Sequence, residues 1–276
     1  MPKDNGIQVA LREKDVAFGT WAQMNAPEFC EIAARSGLDF VIVDMEHGAY
    51  GIDSAVNMIR AVEAGGAAPV IRVPDASRSG ILKALDAGAV GLLVPNVDSK
   101  QMAEEIVSAA RYAPRGSRGA CPCTRATAHG VENWQDYLDW CDKNLMVAAL
   151  IETAEGIRNY EEIISVPGLD VVAMGPFDLS QALGYNGDWK HPEVRRKQEE
   201  MVKMARSRGL EVMGSTFDSD PVSLRDQVDG WKQLGVRMFA VSGDRFMLSS
   251  GFKSIVSTLN NKHVTNSPKE RIVSAA

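Results

Sequence analysis

The sequence predicts a single-domain α/β fold of the (β/α)8 barrel type. Eight short apolar segments alternate with stretches of helical periodicity, and glycine, proline or aspartate separates the segments. The chain has 276 residues, of which 45% are hydrophobic, enough for one large core. A doubly wound open sheet is the alternative, but it predicts fewer strands and a Gly-x-Gly-x-x-Gly segment after the first strand, which this sequence lacks.

The predicted strands are short and apolar, as expected of a buried parallel sheet. In chain order they cover residues 16–21, 40–43, 68–73, 90–94, 145–151, 171–174, 211–215 and 237–241. Helices are predicted for residues 27–36, for a stretch that ends near 64, and for 79–87, 99–112, 154–165, 192–208, 223–234 and 246–259. We assign residues 1–260 to the barrel domain and expect residues 261–276 to be a flexible C-terminal tail.

One long segment interrupts this alternation. Residues 115–142 contain glycines, a Cys-Pro-Cys sequence, several basic residues and two tryptophans. Long insertions of such composition are more often functional than idle. We predict that this segment forms a lid or a subunit contact.

Composition limits the classes of partner. A net charge of −6 argues against nucleic acid or an anionic membrane surface as the main partner. No apolar run is long enough to span a bilayer, and residues 1–15 lack the apolar core of a signal peptide. The four cysteines match neither a redox Cys-x-x-Cys nor a zinc half-site with a visible partner pair. These patterns indicate a cytoplasmic protein with free thiols.

Residues at the carboxyl ends of barrel strands meet in one mouth, where such folds carry their active sites. The polar and aromatic residues expected there are Trp21, Asp44, Glu46, His47, Arg72, Glu152, Asp178 and Asp244. This set is rich in oxygen ligands and has one arginine and one histidine. No lysine falls in a predicted strand, and there is no Gly-x-Ser-x-Gly segment, so Schiff-base and acyl-transfer chemistry are not expected.

Glu152 and Asp178 follow neighbouring strands, so their carboxylates could converge on one cation. Two carboxylates, with waters and a bidentate substrate, suit Mg²⁺ or Mn²⁺ better than Zn²⁺. The alternative is that Glu152 only caps the helix that follows it. Arg72 lies in a buried strand, where it either pairs with a structural acid or awaits an anionic ligand.

His47 can act as a general base near neutral pH, with Asp44 holding its tautomer. The alternative for this segment is an acidic loop whose histidine is satisfied by a neighbour and has no catalytic role. The remaining mouth residues decide between the two, because a base needs a substrate-binding group nearby.

With these residues identified, the sequence resembles the HpcH/HpaI family of metal-dependent (class II) pyruvate aldolases, from residue 18 to about residue 252. The segments that carry the resemblance also have the family's order and spacing, and together they are highly specific. They are Asp44-x-Glu46-His47, Pro69-Val70-Ile71-Arg72, Leu82-Lys83-x-Leu85-Asp86-x-Gly88-Ala89, Arg111-Tyr112-x-Pro114-x-Gly116-x-Arg118-Gly119, Ile151-Glu152-Thr153 and Gly175-Pro176-Phe177-Asp178-Leu179-Ser180.

The resemblance implies a barrel of the phosphoenolpyruvate/pyruvate type and a divalent metal ion held by Glu152 and Asp178. Mg²⁺ and Mn²⁺ are the expected metals, with Co²⁺ as a further candidate. Arg72 is implied to bind the oxo acid and to stabilise its enolate. His47, together with Asp44, is implied to transfer the proton.

The resemblance also implies residues that shape the substrate site. Trp21 would form a wall beside the methyl group of pyruvate, and Asp86 would lie at the edge of the site, where it could reach a neighbouring subunit. The segment Gly175-Pro176-Phe177 would contact the substrate. The family further implies a homohexamer in which the last helix packs against an adjacent subunit.

These residues predict a carbon–carbon lyase that cleaves or forms a 4-hydroxy-2-oxo acid, giving pyruvate and an aldehyde through a metal-stabilised enolate. Two departures from the family affect the aldehyde side. Leu150 stands where glutamine is common and Phe177 where a small residue is usual, which makes the mouth less polar and narrower. The alternative is decarboxylation of oxaloacetate to the same enolate, as in macrophomate synthase-like relatives. A 2-oxo acid-binding protein without turnover is a third possibility, against which the intact residue set argues.

Overall fold

Eight parallel strands close into one barrel. The computed structural model describes residues 4–218 and 220–260. Every strand pairs with its neighbours in sequence, and the eighth pairs with the first to complete the ring. The predicted (β/α)8 barrel is therefore confirmed.

The strands begin and end within two residues of their predicted positions. They are β1 (Ala17–Ala22), β2 (Phe40–Asp44), β3 (Ala68–Arg72), β4 (Gly91–Val94), β5 (Met146–Ile151), β6 (Val171–Met174), β7 (Glu211–Thr216) and β8 (Met238–Gly243). The α-helices of the described residues are α1 (Gly6–Glu13), α2 (Pro27–Arg35), α3 (Ile52–Gly65), α4 (Arg78–Asp86), α5 (Lys100–Ala110), α6 (Trp134–Asn144), α7 (Ala154–Arg158), α8 (Tyr160–Ile163), α9 (Pro176–Ala182), α10 (Pro192–Ser207), α11 (Pro221–Lys232) and α12 (Asp244–Asn260).

Alternate residues of each strand fill the inside of the barrel, and the others pack under the helices. On β2, Phe40 and Ile42 belong to the inner cluster, whereas Val41 and Val43 belong to the outer one. The inner row of β2 ends in Asp44, which pairs in register with Arg72 at the end of β3. The alternation therefore places an anionic and a cationic side chain at the same point of the mouth.

An N-terminal helix that the sequence reading missed lies against the opposite end of the barrel. Its apolar residues Ile7, Ala10 and Leu11 belong to the inner cluster. Asn5 caps this helix through the N–H of Ile7, and its side chain also donates to the backbone carbonyl of Asn144 at 2.7 Å. The spacing of three and four residues between the apolar positions is a helical signal, but charged neighbours obscured it.

The insertion at residues 115–142 also lies at this end of the barrel, opposite the mouth, which we call the lower end. It contains a short 3₁₀ helix (Arg125–Thr127) and most of α6. Arg118 pairs with Asp86 at 2.8 Å, and Arg125 pairs with Glu63, both near the carboxyl ends of helices that run back from the mouth. The segment is thus not a lid over the mouth of its own chain. A contact with another subunit stays a prediction.

Two further predictions differ in detail from the structure. The helix expected over residues 154–165 is divided at Asn159, whose side chain donates to the carbonyl of Asp98 at 2.7 Å. The stretch after β6, read as an insertion, begins with α9, in which Pro176 occupies the first turn. The predicted tail, residues 261–276, lies outside the described residues. Among the described helices, none combines the length and apolarity needed to cross a bilayer.

Candidate active site

A buried ion pair forms the centre of the mouth. Arg72 donates from Nε to Oδ1 of Asp44 at 2.8 Å and from Nη2 to Oδ2 at 2.5 Å. The side chain of Arg72 is 8% exposed and that of Asp44 is fully buried. Burial alone would raise the pKa of Asp44, but the hydrogen bonds and charge of Arg72 outweigh it and lower that pKa. Both groups therefore stay charged.

Arg72 also contacts Glu46 and Trp21. Its Nη1 lies 2.9 Å from Oε2 of Glu46, and its guanidinium carbon lies 4.6 Å from the centre of the Trp21 ring. Asp44 takes two of the five N–H donors in hydrogen bonds and Glu46 forms an ion pair with Nη1, so donors of the guanidinium remain for a ligand. The buried indole Nε1 of Trp21 has no hydrogen-bond partner among the described residues. This side of the mouth therefore offers a cation and spare donors beside an aromatic wall.

Glu152 follows β5 and is almost completely buried, with 6% of its surface exposed. Its Oε1 accepts the backbone N–H of Asn96 at 3.2 Å. The described residues provide no ion-pair partner for it, because Arg72 pairs with Asp44 and Glu46 instead. Burial, with repulsion from Glu46 and Asp178, raises the pKa of Glu152 to about 7. A buried carboxylate without a cation is costly for the fold.

Gly175, at the end of β6, makes room for this carboxylate. A Cβ atom on Gly175 would lie 2.4 Å from Oε2 of Glu152, so any larger residue would displace the Glu152 side chain. Pro176 and Phe177 then begin α9, and Asp178 lies exposed in its first turn. The sequence Gly-Pro-Phe-Asp thus brings a second carboxylate close enough for its charge to raise the pKa of Glu152.

The charges of Glu46 and Asp178 both act to raise the pKa of Glu152, so these three carboxylates share one region of the mouth. Burial raises the pKa of Glu46, and the charges of Asp44 and Asp178 act in the same direction. Within the described part of the chain, no group of three or more His, Cys, Asp or Glu side chains has the geometry of a metal site. The candidate metal site is therefore a carboxylate pair. That pair fits Mg²⁺ or Mn²⁺, which take one or two carboxylates together with water and substrate oxygens.

His47 lies exposed on the loop after β2. Its backbone N–H donates to Oδ1 of Asp44 at 3.2 Å, but its imidazole makes no hydrogen bond with that carboxylate among the described residues. The expectation that Asp44 holds the tautomer of His47 is therefore corrected. Arg72 takes both oxygens of Asp44, because its planar fork matches a carboxylate. Asp44 instead fixes the backbone that carries His47.

The remaining predicted residues lie at three places: the rim of the mouth, the inside of the barrel and the lower end. Phe177 is 54% exposed at the rim, and its ring packs over Gly187. Leu150 lies two residues before Glu152 in the chain, is 3% exposed and belongs to the inner cluster. Asp86 does not join the mouth of its own chain, because it ends α4 and pairs with Arg118 at the lower end. A role at a neighbouring subunit's site stays a prediction.

Sequence reasoning missed two polar residues that hold the acids in place. Asn96, directly after β4, binds Glu152 through its backbone N–H and Glu46 through its side chain at 3.3 Å. It has a positive φ of 54°, a conformation that asparagine tolerates better than most residues. The side chain of Gln23 donates to Oδ2 of Asp44 at 2.9 Å. Their positions just after strands were the available signal.

The fold and the mouth define an α/β barrel whose mouth presents an arginine, a buried carboxylate and an exposed carboxylate. The family model described as "HpcH/HpaI aldolase/citrate lyase" matches residues 17–242, and the chain belongs to this family. The predicted assignment to the carbon–carbon lyases is thereby confirmed.

Individual relatives support the assignment over most of the chain. A 2-keto-3-deoxy-L-rhamnonate aldolase of Escherichia coli is 37% identical over 74% of this chain and 76% of its own length. A hydroxypyruvate/pyruvate aldolase of Cupriavidus necator is 30% identical over 95% of both chains. The crystal structure of an HpcH/HpaI aldolase from Desulfitobacterium hafniense superposes with a TM-score of 0.86 at 28% identity, covering 96% of this chain and all of that one.

Proposed function

We propose that the protein cleaves and forms 4-hydroxy-2-oxo acids reversibly, with pyruvate and an aldehyde as the products of cleavage. One observation carries the proposal: the buried carboxylate of Glu152 has no cationic partner among residues 4–218 and 220–260, and it lies in a mouth that also presents the spare donors of Arg72. A divalent cation would offset the charge of the carboxylates, and an oxo acid would use the arginine. The names of the relatives, two of them aldolases of oxo acids, point the same way.

Glu152 and Asp178 would hold the metal, for which Mg²⁺ and Mn²⁺ are the first candidates and Co²⁺ the next. A cation at this position would act as a Lewis acid toward the carboxylate and carbonyl oxygens of the substrate. The raised pKa of Glu152 supports this assignment, because the same burial that disfavours its free charge favours a bound cation.

Arg72 would orient the carboxylate of the 2-oxo acid and stabilise the negative charge that develops on the carbonyl oxygen. It is preorganised for this role, since Asp44 and Glu46 fix its plane before the substrate arrives. Trp21 lies against the guanidinium and would exclude water beside the methyl group of pyruvate. His47, exposed at the rim, would remove the proton of the C4 hydroxyl, directly or through a water molecule.

A second candidate function is decarboxylation of oxaloacetate to the same pyruvate enolate. Leu150 below Glu152 and the exposed ring of Phe177 make the approach to the mouth apolar, and decarboxylation needs no aldehyde to pass it. Faster release of pyruvate from oxaloacetate than from any 4-hydroxy-2-oxo acid would favour this candidate.

The experiment that tests the proposal is a screen of aldehydes with pyruvate, in which chelated protein is reconstituted with Mg²⁺, Mn²⁺ or Co²⁺. Arg72→Ala and Glu152→Ala are assayed with the best aldehyde. We expect product only with metal, and a loss of at least about a hundredfold in each variant, as is typical when a charge-stabilising group is removed. Undiminished turnover in either variant would contradict the assignment.

We also propose a homo-oligomer, for which the family suggests a hexamer, with a cytoplasmic location as the cysteine pattern predicts. Helix α12 supports the oligomer, because its apolar side chains face solvent in the single chain. Leu248, Phe252, Ile255 and Leu259 are 46%, 64%, 55% and 78% exposed. Such a patch is typical of a subunit contact. Light scattering of Phe252→Asp should show smaller particles than wild type, whereas Ser257→Asp on the same helix serves as the charge control.

A further inference from the structure

The first turn of α12 is tied to the mouth of the barrel. Helix α12 begins at Asp244, directly after β8 ends at Gly243, so no connecting residues separate them. Asp244 is fully buried, and its carboxylate accepts the N–H of Met24 at 2.7 Å and that of Arg245 at 2.6 Å. This carboxylate therefore fixes the start of α12 against the loop that follows β1.

Arg245, the next residue, joins two mouth loops. Its Nη2 donates to the backbone carbonyl of Gln23 at 3.1 Å, and its Nη1 donates to the backbone carbonyl of His47 at 3.3 Å. The guanidinium of Arg245 forms no ion pair among the described residues, and its two hydrogen bonds there are to backbone carbonyls. A guanidinium fork suits this task because its donors have a fixed geometry.

These contacts close a ring around Asp44. The side chain of Gln23 donates to Oδ2 of Asp44 at 2.9 Å, and the backbone N–H of His47 donates to Oδ1 of Asp44 at 3.2 Å. Arg245 bridges the backbone carbonyls of the same two residues. The backbone of His47 is therefore held through its N–H by Asp44 and through its carbonyl by Arg245.

We propose that Arg245 is a positioning residue that holds His47 in place for proton transfer. The proposal rests on the proposed function, because it assigns Arg245 a role in the same reaction. Asp44 cannot do this alone, since its oxygens are shared with Arg72 and it contacts only the backbone N–H of His47. An exposed imidazole on a loop needs a second attachment to keep its distance to a substrate hydroxyl.

The test is a double-mutant cycle between Arg245→Met and His47→Asn, with Arg225→Met as the matched control. Arg225 is exposed on α11 and makes no hydrogen bond or ion pair with the described residues. In wild type, we expect Arg245→Met to lower kcat about tenfold or more at an unchanged KM for the oxo acid. In His47→Asn, the same change should lower kcat less than about twofold, because its effect passes through the histidine.

Two measurements do not depend on turnover. The dissociation constant of Mn²⁺ should be the same in Arg245→Met and wild type, since Glu152 and Asp178 are untouched. Hydrogen exchange of peptides that contain residues 22–26 and 44–48 should be faster in Arg245→Met and unchanged in Arg225→Met. Arg245→Lys, which keeps the charge but loses the fork, should fall between wild type and Arg245→Met in both exchange and kcat.

Several results would overturn the role of Arg245. They are an unchanged kcat in Arg245→Met, an equal loss in the wild-type and His47→Asn backgrounds, or unchanged exchange of the two loops. If His47→Asn has no measurable turnover, Arg245→Met alone decides. A rise in its KM for the oxo acid, or a loss of Mn²⁺ affinity, as large as the fall in its kcat would also overturn the role. Wild-type protein without any lyase turnover would contradict the proposed function itself. The hydrogen-exchange data are independent of turnover, so they distinguish that result from a failure of Arg245 to hold the two loops.

Discussion

Arg72 and Asp44 end neighbouring strands and meet in register, joined by hydrogen bonds of 2.8 and 2.5 Å. The pair fixes the plane of the guanidinium and takes two of its five N–H donors, so others remain for a substrate. Asp44 also accepts the backbone N–H of His47, but among the described residues it makes no hydrogen bond with the imidazole. Under the proposed function, binding of the oxo acid and fixation of the His47 backbone would both depend on this ion pair.

Arg72→Lys tests whether the fork, rather than the charge alone, is needed. Lysine keeps the positive charge but cannot bind both oxygens of Asp44 and still present donors to a ligand. We expect kcat/KM for the oxo acid to fall about a hundredfold, with a cooperative unfolding transition retained in urea. Arg225→Lys is the control for the same change at an exposed position. Wild-type kcat/KM in Arg72→Lys would mean that charge suffices.

The stability of the metal-free protein should depend on pH through Glu152. Because its pKa is about 7, the folded state keeps a proton that the unfolded chain releases near pH 4.5. The free energy of unfolding should therefore fall by up to about 3 kcal/mol as the pH rises from about 4.5 to 7. Above pH 7 it should change little. Urea unfolding in EDTA at pH 5.5 and 8 should show about 2 kcal/mol of this difference in wild type and less in Glu152→Gln.

The control for that experiment is Glu155→Gln, since Glu155 is exposed in the first turn of α7. It should keep the wild-type dependence on pH. If the free energy of unfolding of Glu152→Gln has the same pH dependence as that of wild type, the Glu152 carboxylate is not protonated in the folded protein. That result would count against a metal site at Glu152.

Gly175→Ala should damage the metal site while leaving the fold intact. The new methyl group would meet Oε2 of Glu152, which is the end of a side chain and can move away. We expect Mn²⁺ to bind at least about tenfold more weakly, the effect typical of changes around a metal site, with a similar loss of activity. Calorimetric titration measures the binding. Gly130→Ala, where no atom lies within 4 Å of the added Cβ, should bind Mn²⁺ as wild type does.

Phe177→Ala should change the choice of aldehyde without changing the handling of pyruvate. The ring is exposed at the rim next to Asp178, where it narrows the approach to the mouth. We expect kcat/KM to rise severalfold for branched aldehydes, a difference of about 1 kcal/mol, with an unchanged rate of pyruvate proton exchange. The exposed residue Ile32 on α2 provides the control variant Ile32→Ala. An equal change for all aldehydes would show that Phe177 does not select among them.

The barrel was predictable because its strands are continuous apolar runs bounded by glycine and proline. The strand ends then identified Trp21, Arg72 and Glu152, which the structure brings to one mouth. The N-terminal helix was not predicted, because its three apolar residues lie among charged ones and become a face only against the barrel. Local periodicity does not report such tertiary packing.

The contacts within the site were less predictable than its members. Sequence could place Asp44 near His47, but only the register of β2 with β3 reveals that Arg72 occupies both of its oxygens. The roles of Asn96, Gln23 and Arg245 depend on loop conformations, including a positive φ at Asn96, and on bonds between distant segments. Strand-end position marks such residues as candidates without showing their partners.

Exchange of the methyl protons of pyruvate with D₂O, followed by NMR, tests the central claim most directly, because it requires the enolate but no aldehyde. Chelated wild-type protein should show no exchange above background, and Mn²⁺ or Mg²⁺ should restore it. Glu152→Ala should stay inactive at every metal concentration, while Glu155→Ala should behave as wild type. Exchange at the wild-type rate in chelated protein or in Glu152→Ala would contradict the account.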